Sequence, residues 1–225
     1  MVQQERAART REALMRAAAE AFAEDGFVPT TLSAISKKAG VSNGALHFHF
    51  ENKDVLARAV EAAAVDAVRR ITRPAAQPAA QPAEEPAPEP GGEAAGSALQ
   101  ELVDATHRLM SHLEHDVVVR AGFELLGTAA RRRHAADLRG EWQQWITAVL
   151  HTARRRGELA HGVTPDQAAA AVTAATVGFE VLGVKDPTWV SHRTLSQYWE
   201  LMLPRLAAPD RLPALSPHGP APHPH

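Results

Sequence analysis

The sequence contains no cysteine among its 225 residues. Disulfide bonds, zinc–thiolate sites and cysteine nucleophiles are therefore excluded. Aromatic residues make up only 5% of the chain, whereas alanine is abundant, and this balance favours helices over sheets. The chain begins with charged residues and has no apolar run near about 18 residues, so we expect neither a signal peptide nor a membrane span. These features indicate a cytoplasmic protein.

Positive charge is also scarce. The formal net charge is -2, and residues 1–53 hold 7 Lys+Arg against 6 Asp+Glu, a difference of +1. This argues against nucleic-acid binding by a uniformly basic surface. Contacts with phosphates would have to rest on individually placed cations, of which the N-terminal part offers Arg6, Arg9, Arg11, Lys37, Lys38 and Lys53.

The stretch TLSAISKKAGVSNGALHFHFENK, from Thr31 to Lys53, predicts two short helices joined by a tight turn. Gly40 is free to take the positive φ that ends a helix, and Ser42 is a good N-cap for the next helix. The second helix begins with small or polar residues, namely Asn43, Gly44 and His47. A helix that approaches base edges in the major groove needs such an end, so the pattern is typical of a helix-turn-helix DNA-binding motif.

Amphipathic helices are predicted on both sides of this motif. Upstream, a helix that ends near Gly26 carries the apolar stripe Leu14, Ala17, Ala18, Ala21 and Phe22. Downstream, Asn52 is placed to cap a fourth helix, with Lys53 in its first turn. A cation in that position opposes the helix dipole, so a phosphate partner explains Lys53 better than folding stability does.

The segment GFVPTTLSAISKKAGVSNGALHFHFENKDVLA, with the arginine-containing arm before it, resembles the N-terminal domain of the TetR family of one-component repressors. Within that family the chain is most similar to the γ-butyrolactone autoregulator receptors and their pseudo-receptor relatives. The resemblance implies an all-α homodimer that binds double-stranded operator DNA. It also implies release of the DNA when a small molecule binds, with no cofactor.

The motif and the resemblance together assign the DNA contacts. The expected DNA-binding residues are Arg11, Lys38, Ser42, Asn43, Gly44, His47 and Lys53. Of these, the basic residues would hold the motif on the DNA backbone, and the residues of the second helix would approach bases or adjacent phosphates. Asn43 stands where a basic residue or Thr is common in the family, and His47 stands where Tyr is usual. We therefore expect a distinct operator sequence or affinity.

The domain organisation follows from changes in composition. We expect a helix-turn-helix domain at 1–51, a larger helical ligand-binding and dimerisation domain at 52–208, and a disordered proline-rich tail at 209–225. Residues 74–96 interrupt the second domain. Of these 23 residues, 6 are Pro and 8 are Ala, which predicts an extended, disordered insertion. A tolerated surface loop is favoured over a docking site.

Helix starts are marked in the C-terminal half as well. Ser97 and Gln100 predict a capping box, and Thr164-Pro165-Asp166-Gln167 is the strongest helix start in the chain. The helix that follows Pro165 is apolar nearly all round, and the last helix repeats the pattern. Two such helices from each subunit predict a four-helix homodimer interface.

A ligand pocket is expected among apolar residues of the C-terminal half. The candidates are Trp142, Trp145, Phe123, Leu126, Val149 and Phe179. Trp142 stands fifteen residues before Gly157, which matches the Trp that lines the pocket in the butyrolactone receptors. For the other five residues an ordinary core position is favoured, and no convergent polar set identifies the ligand.

Other kinds of chemistry find little support. His47 and His49 have an H-x-H spacing, but a metal site there is not expected. The sequence has no glycine-rich phosphate loop, no G-x-S-x-G elbow and no H-E-x-x-H pair, so an enzyme is not expected.

We therefore expect a dimeric repressor of antibiotic or other secondary-metabolite genes that responds to a γ-butyrolactone. One alternative is a pseudo-receptor that answers an antibiotic-like molecule or no ligand. The alternative from another class is a helical enzyme or scaffold that kept the fold. A salt-sensitive operator footprint would separate these classes, because an enzyme has no reason to produce one.

Overall fold

The computed structural model describes residues 2–73, 96–126 and 137–220, without the side chains of residues 2, 3 and 126. The described residues form α1 (Val2–Asp25), α2 (Leu32–Lys38), α3 (Asn43–His49), α4 (Lys53–Thr72), α5 (Ala98–His115), α6 (Val117–Leu126), α7 (Leu138–Arg155), α8 (Pro165–Gly183) and α9 (His192–Leu206). Short 3₁₀ helices lie at Pro187–Val190 and Leu212–Ala214. The predicted all-α class is confirmed. Among the described helices, none is long and apolar enough to cross a membrane.

The chain divides into two compact units, and the first comprises the described parts of Met1–Arg69 and Ser111–Glu141. Its core is built on the predicted apolar stripe of α1, in which Leu14, Ala18 and Phe22 are at most 1% exposed. Four other helices pack residues into the same core: Ile35 from α2, Leu46 from α3, Leu56 from α4 and Leu125 from α6. The first unit is therefore held together by one face of α1.

The second unit comprises the described parts of Arg70–Met110 and Trp142–His225. Its helix α8 begins as the sequence predicts, because Thr164 Oγ1 accepts a hydrogen bond from Gln167 N at 3.3 Å. A buried pair joins α9 to α5, where the Trp199 indole N–H donates to Thr106 Oγ1 at 2.8 Å. Burial of these polar groups is tolerated because each has a partner.

The start of α5 follows the predicted capping box only in part. Gln100 N donates to Ser97 Oγ at 3.3 Å, but the Gln100 side chain is used elsewhere. The buried carboxylate of Glu158 instead accepts from two other N–H groups of the helix start, Ala98 N at 3.1 Å and Leu99 N at 3.0 Å. A negative charge at this end also suits the helix dipole. Tertiary packing thus supplies a cap that no local pattern reveals.

The prediction of a disordered tail after Pro209 is wrong for the part of the tail that the structure describes. Ser216 N donates to Gln100 Oε1 at 2.8 Å, and the Gln100 amide donates back to Ser216 O at 3.2 Å. The ring of His107 lies 2.9 Å from Pro217 O through its Nε2. These contacts with α5 fix the backbone despite its proline content. The last five residues of the tail lie outside the described residues.

The predicted domain boundaries, after residues 51 and 208, stay predictions. The two compact units of the structure do not follow these boundaries. Most of α4 belongs to the first unit, because it buries Leu56 and Val60 in the core built on α1. The predicted insertion at 74–96 lies outside the described residues except for Gly96, whose carbonyl accepts from Arg156.

The cap on α5 yields a stability prediction. We expect Glu158→Ala to lower the free energy of unfolding by about 2–3 kcal/mol, because two backbone N–H groups at a buried helix start lose their acceptor. Urea denaturation followed by circular dichroism measures this change. Glu200→Ala on the exposed face of α9 is the matched control. Equal stabilities of the two variants would contradict the capping role.

Candidate functional site

The predicted helix-turn-helix motif is present in the first unit. We call α2 and α3 the reader helices. Thr31 Oγ1 caps α2 by accepting from Ala34 N at 3.2 Å, and Ser42 Oγ caps α3 by accepting from Ala45 N at 3.1 Å. Between them Gly40 has a φ of +68°, which an L side chain rarely adopts. The Ser42 cap and the Gly40 turn predicted from the sequence are confirmed, and the Thr31 cap is an addition from the structure.

One residue of α3 is buried and the rest of the helix faces outward. Leu46 is fully buried in the core of the first unit, and Phe50, directly after the helix, is 2% exposed. The predicted DNA-contact residues Asn43, Gly44 and His47 are exposed. The packing of Leu46 therefore fixes α3 while leaving its other faces accessible.

The most exposed aromatic side chain described belongs to Phe48, which is 81% exposed on α3. Its ring is nearly perpendicular to that of the neighbouring His49, with 5.1 Å between centroids. Phe48 is absent from the residues predicted from sequence, although its position could have been found: it follows Gly44 by four residues, whereas the buried position of α3 is Leu46. A single exposed apolar side chain is not by itself a sign of an interaction site, but its position on α3 places Phe48 on the surface predicted to meet DNA.

The side chain of Asn43 is held by the other reader helix. The Ser36 hydroxyl on α2 donates to Asn43 Oδ1 at 2.5 Å. Ser36 itself is buried, so the contact fixes the amide at the base of α3. Asn43 Oδ1 can accept one more hydrogen bond and the amide NH2 group can donate, so the held amide still has polar groups to offer a partner.

The cations expected on DNA phosphates differ in how far they are engaged. The Arg11 guanidinium lies over the Phe50 ring, 5.3 Å from its centroid. Lys38 Nζ pairs with Glu24 at 2.8 Å and Glu20 at 3.5 Å, and the hydrogen bond to Glu24 raises the pKa of Lys38 above its usual value. The exposed Lys37 has no ion pair among the described residues. The ammonium of Lys53 faces main-chain carbonyls. The DNA-contact roles of these cations stay predictions.

In the second unit, Trp142 is 2% exposed and its indole N–H is satisfied internally. The indole donates to Thr176 Oγ1 on α8 at 3.0 Å. The rings of Trp142 and Trp145 are stacked, with centroids 5.0 Å apart. Trp142 is therefore a core residue with one oriented polar atom, and its role in ligand binding stays a prediction.

A stripe of α8 carries polar groups that were not predicted from the sequence. Thr173 and Thr176 lie on the same stripe as Phe179, whose ring is nearly perpendicular to that of Tyr198 with 5.4 Å between centroids. The hydroxyls of Thr173 and Tyr198 are buried without a hydrogen-bond partner among the described residues. Burial raises the pKa of the Tyr198 hydroxyl, which therefore stays protonated. Buried hydroxyls without partners are rare in proteins and call for an explanation.

The other predicted pocket residues belong to both units. Val149 is a buried residue of α7 in the second unit, whereas Phe123 is a buried residue of α6 in the first unit. Leu126 ends α6, and its side chain lies outside the described part. A shared pocket for all six residues stays a prediction.

The first unit also has an open groove that the sequence did not predict. Its lining residues are mostly charged: Arg58, Glu61, Asp66, Arg69 and Glu141, with Ala62 and Val65. Arg69 binds Glu141 through two hydrogen bonds of 3.0 and 3.2 Å. Small-molecule sites are usually apolar with few polar groups, so this groove does not resemble one. In the described residues no cluster of His, Asp and Glu is arranged to hold a metal ion.

Comparison with known proteins identifies similar regulators. Residues 14–60 match the profile of bacterial regulatory proteins of the tetR family. The chain is 30% identical to the HTH-type transcriptional regulator TtgR of Pseudomonas putida over 172 residues, which cover 76% of this chain and 78% of that protein. The A-factor receptor protein of Streptomyces griseus is 27% identical over 225 residues, which cover 97% of this chain and 71% of that protein.

A solved structure extends the similarity to three dimensions. The TetR family protein CprB from Streptomyces coelicolor, in complex with its biological operator sequence, matches with a TM-score of 0.71 and 27% identity. The match covers 93% of this chain and 94% of that chain.

The indole–threonine pair in the second unit leads to a matched prediction. We expect Thr176→Val to lower the free energy of unfolding by about 1–3 kcal/mol, because the buried indole N–H of Trp142 loses its acceptor. Thr173→Val is the control of the same shape. It removes a buried hydroxyl without a described partner, so it should leave stability unchanged or raise it. Thermal or urea denaturation of the two variants measures the difference, and an opposite order of stabilities would disprove this explanation.

Proposed function

Since the chain belongs to the tetR family of bacterial regulatory proteins, we propose that it represses transcription by binding operator DNA as a homodimer and that a small molecule releases it. The observation that carries this proposal is the exposed N-terminal half of α3, capped by Ser42 and fixed from beneath by Leu46. The relatives are transcriptional regulators by name, which favours regulation over catalysis.

In the proposed complex α3 enters the major groove. Asn43 and His47 approach base edges or adjacent phosphates, and Gly44 lets the helix come close. Ser42 lies at the N-terminus of α3, where backbone N–H groups suit a phosphate. The apolar Phe48 adds a surface suited to a thymine methyl group. Arg11 and Lys38 contact the DNA backbone, and Lys38 must first exchange its carboxylate partners for phosphate.

Dimerisation is supported by exposed apolar side chains around α8 and α9. The large apolar residues exposed there are Val181, Leu182, Val184, Trp189 and Leu201. Their burial against a second copy would form the expected four-helix interface. A dimer would set two copies of α3 at the spacing of successive major grooves, about 34–36 Å.

For the effector we propose a small molecule with hydrogen-bonding oxygens, of the γ-butyrolactone or antibiotic-like class. Similar proteins whose names include such a ligand support the class, among them a γ-butyrolactone receptor of known structure. In this chain the support comes from the indole of Trp142 beside Thr176 and from the buried, unpaired hydroxyls of Thr173 and Tyr198. These groups would offer an apolar wall and the few polar contacts that orient a ligand. Secondary-metabolite genes are the proposed targets.

The first test of this proposal is a fluorescence anisotropy titration of the protein against DNA flanking its own gene. We expect salt-sensitive binding with a stoichiometry of one dimer per site. Added γ-butyrolactones or the antibiotics made by the same organism should reverse it in one case at least. Binding that no compound reverses would favour a repressor without a ligand, and absence of binding would overturn the DNA-binding proposal.

A second prediction concerns base reading by Asn43. Asn43→Ala should reduce discrimination between operator variants that differ at one base pair, by about 1–3 kcal/mol, because a bidentate amide contact is lost. Competition anisotropy with a panel of single-position operator variants measures this. Gln144→Ala, which removes an exposed amide from α7, is the control and should leave discrimination unchanged. If Asn43→Ala weakens binding equally on every variant, Asn43 does not read bases.

A further inference from the structure

The ammonium of Lys53 is surrounded by main-chain oxygens of the turn between α1 and α2. Its Nζ donates to Phe27 O at 2.8 Å, Val28 O at 3.1 Å and Thr30 O at 2.8 Å. A lysine ammonium has three N–H donors and no acceptor, so these three bonds use all of its donors. The Lys53 head group has no N–H left for another acceptor.

Aromatic packing fixes the same group from one side. Nζ lies 4.5 Å from the centroid of the Phe27 ring, within the range of a cation–π contact. The Phe27 ring in turn packs on Phe22 of α1, with 5.5 Å between centroids. The ammonium is therefore tied to the end of α1 through both main-chain and side-chain contacts.

A residue of the turn itself, Thr30, also holds the turn to α1. The buried hydroxyl of Thr30 donates to Gly26 O at 2.8 Å and lies 3.2 Å from Ala21 O. The carbonyl of the same residue accepts from Lys53, and the next residue, Thr31, caps α2. The position at which α2 begins is thus fixed to α1 by Thr30 and to the first turn of α4 by Lys53.

We propose that Lys53 is a positioning residue, which holds the start of the reader helices to α4 through three carbonyls, and that it does not bind a DNA phosphate. The effect of this role on operator binding rests on the proposed function, whereas the contact of Lys53 with the turn does not. It also explains why a cation lies in the first turn of α4, where the helix dipole disfavours it. The three carbonyl oxygens stabilise the positive charge of Lys53, which the N-terminal end of α4 does not.

The two roles predict different salt dependence. Each phosphate contact contributes about 0.9 to the slope of log affinity against log salt. Loss of a phosphate contact therefore lowers the slope, whereas loss of positioning lowers the fraction of competent molecules and weakens binding equally at every salt concentration. Charge-retaining substitution separates them further, because the N–H donors of a guanidinium lie in one plane, whereas those of an ammonium diverge from a single nitrogen toward the three carbonyls.

The experiment compares full-length wild type with Lys53→Met, Lys53→Arg and the control Lys37→Met. Lys37 is an exposed lysine of α2 without an ion pair among the described residues. Operator affinity is measured by anisotropy between about 50 and 200 mM salt, the range in which phosphate contacts change affinity strongly. Amide hydrogen exchange is measured on the free proteins at Gly26, Ala34 and Ile35, whose N–H groups donate to Phe22 O, Thr31 Oγ1 and Thr31 O at the two ends of the turn.

Both Lys53 variants should show faster exchange at the turn and about tenfold weaker binding, with the salt slope of the wild type. Lys37→Met should leave exchange unchanged. Unchanged exchange in Lys53→Met, or a slope lowered by about 0.9, would overturn the positioning role. If the wild type binds no operator, the proposed function fails, while faster exchange in both Lys53 variants would still support the contact with the turn.

Discussion

The reader helices depend on the apolar face of α1. Each has seven residues, and isolated helices of that length are not stable in water. Their stability comes instead from the burial of Ile35 and Leu46 against the core of Leu14, Ala18 and Phe22. Caps at Thr31 and Ser42 then set where each helix begins. One fully buried apolar residue anchors each short helix, with Leu32 and Ala39 of the first motif segment packed against the same core, and the exposed positions of α3 stay accessible.

The second unit places its polar groups differently, in pairs that are buried. Two indole N–H groups donate to threonine hydroxyls, Trp142 to Thr176 and Trp199 to Thr106. Each hydroxyl can still donate to a helix carbonyl, as Thr106 does to Val103 O at 2.7 Å. A threonine hydroxyl on a helix can therefore accept from an indole while its own proton is donated to a main-chain carbonyl of the same helix. Against this pattern, the unpaired hydroxyls of Thr173 and Tyr198 stand out.

Local patterns in the sequence were enough to predict the helix class, the reader helices and several caps. Gly40, Ser42, Asn52 and Thr164 act within a few residues of where they stand, so their roles are visible in sequence. Contacts between distant residues were not predictable in this way. The cap that Glu158 gives to α5 and the contacts of the tail with Gln100 join segments far apart in the chain. Composition alone predicted disorder after Pro209 because it does not report such contacts.

The cations show most clearly that a sequence does not reveal contacts between distant residues, because it gives their charge but not their partners. Lys53 is engaged by carbonyls and Lys38 by two carboxylates, so neither charge is free in the absence of DNA. With a difference of only +1 over residues 1–53, few cations remain for phosphates. On the proposed function, this keeps sequence-independent binding weak, since that binding depends on the number of phosphates neutralised. Operator selection then depends more heavily on the base contacts of α3, which the packing of Leu46 and the Ser36–Asn43 contact orient beforehand.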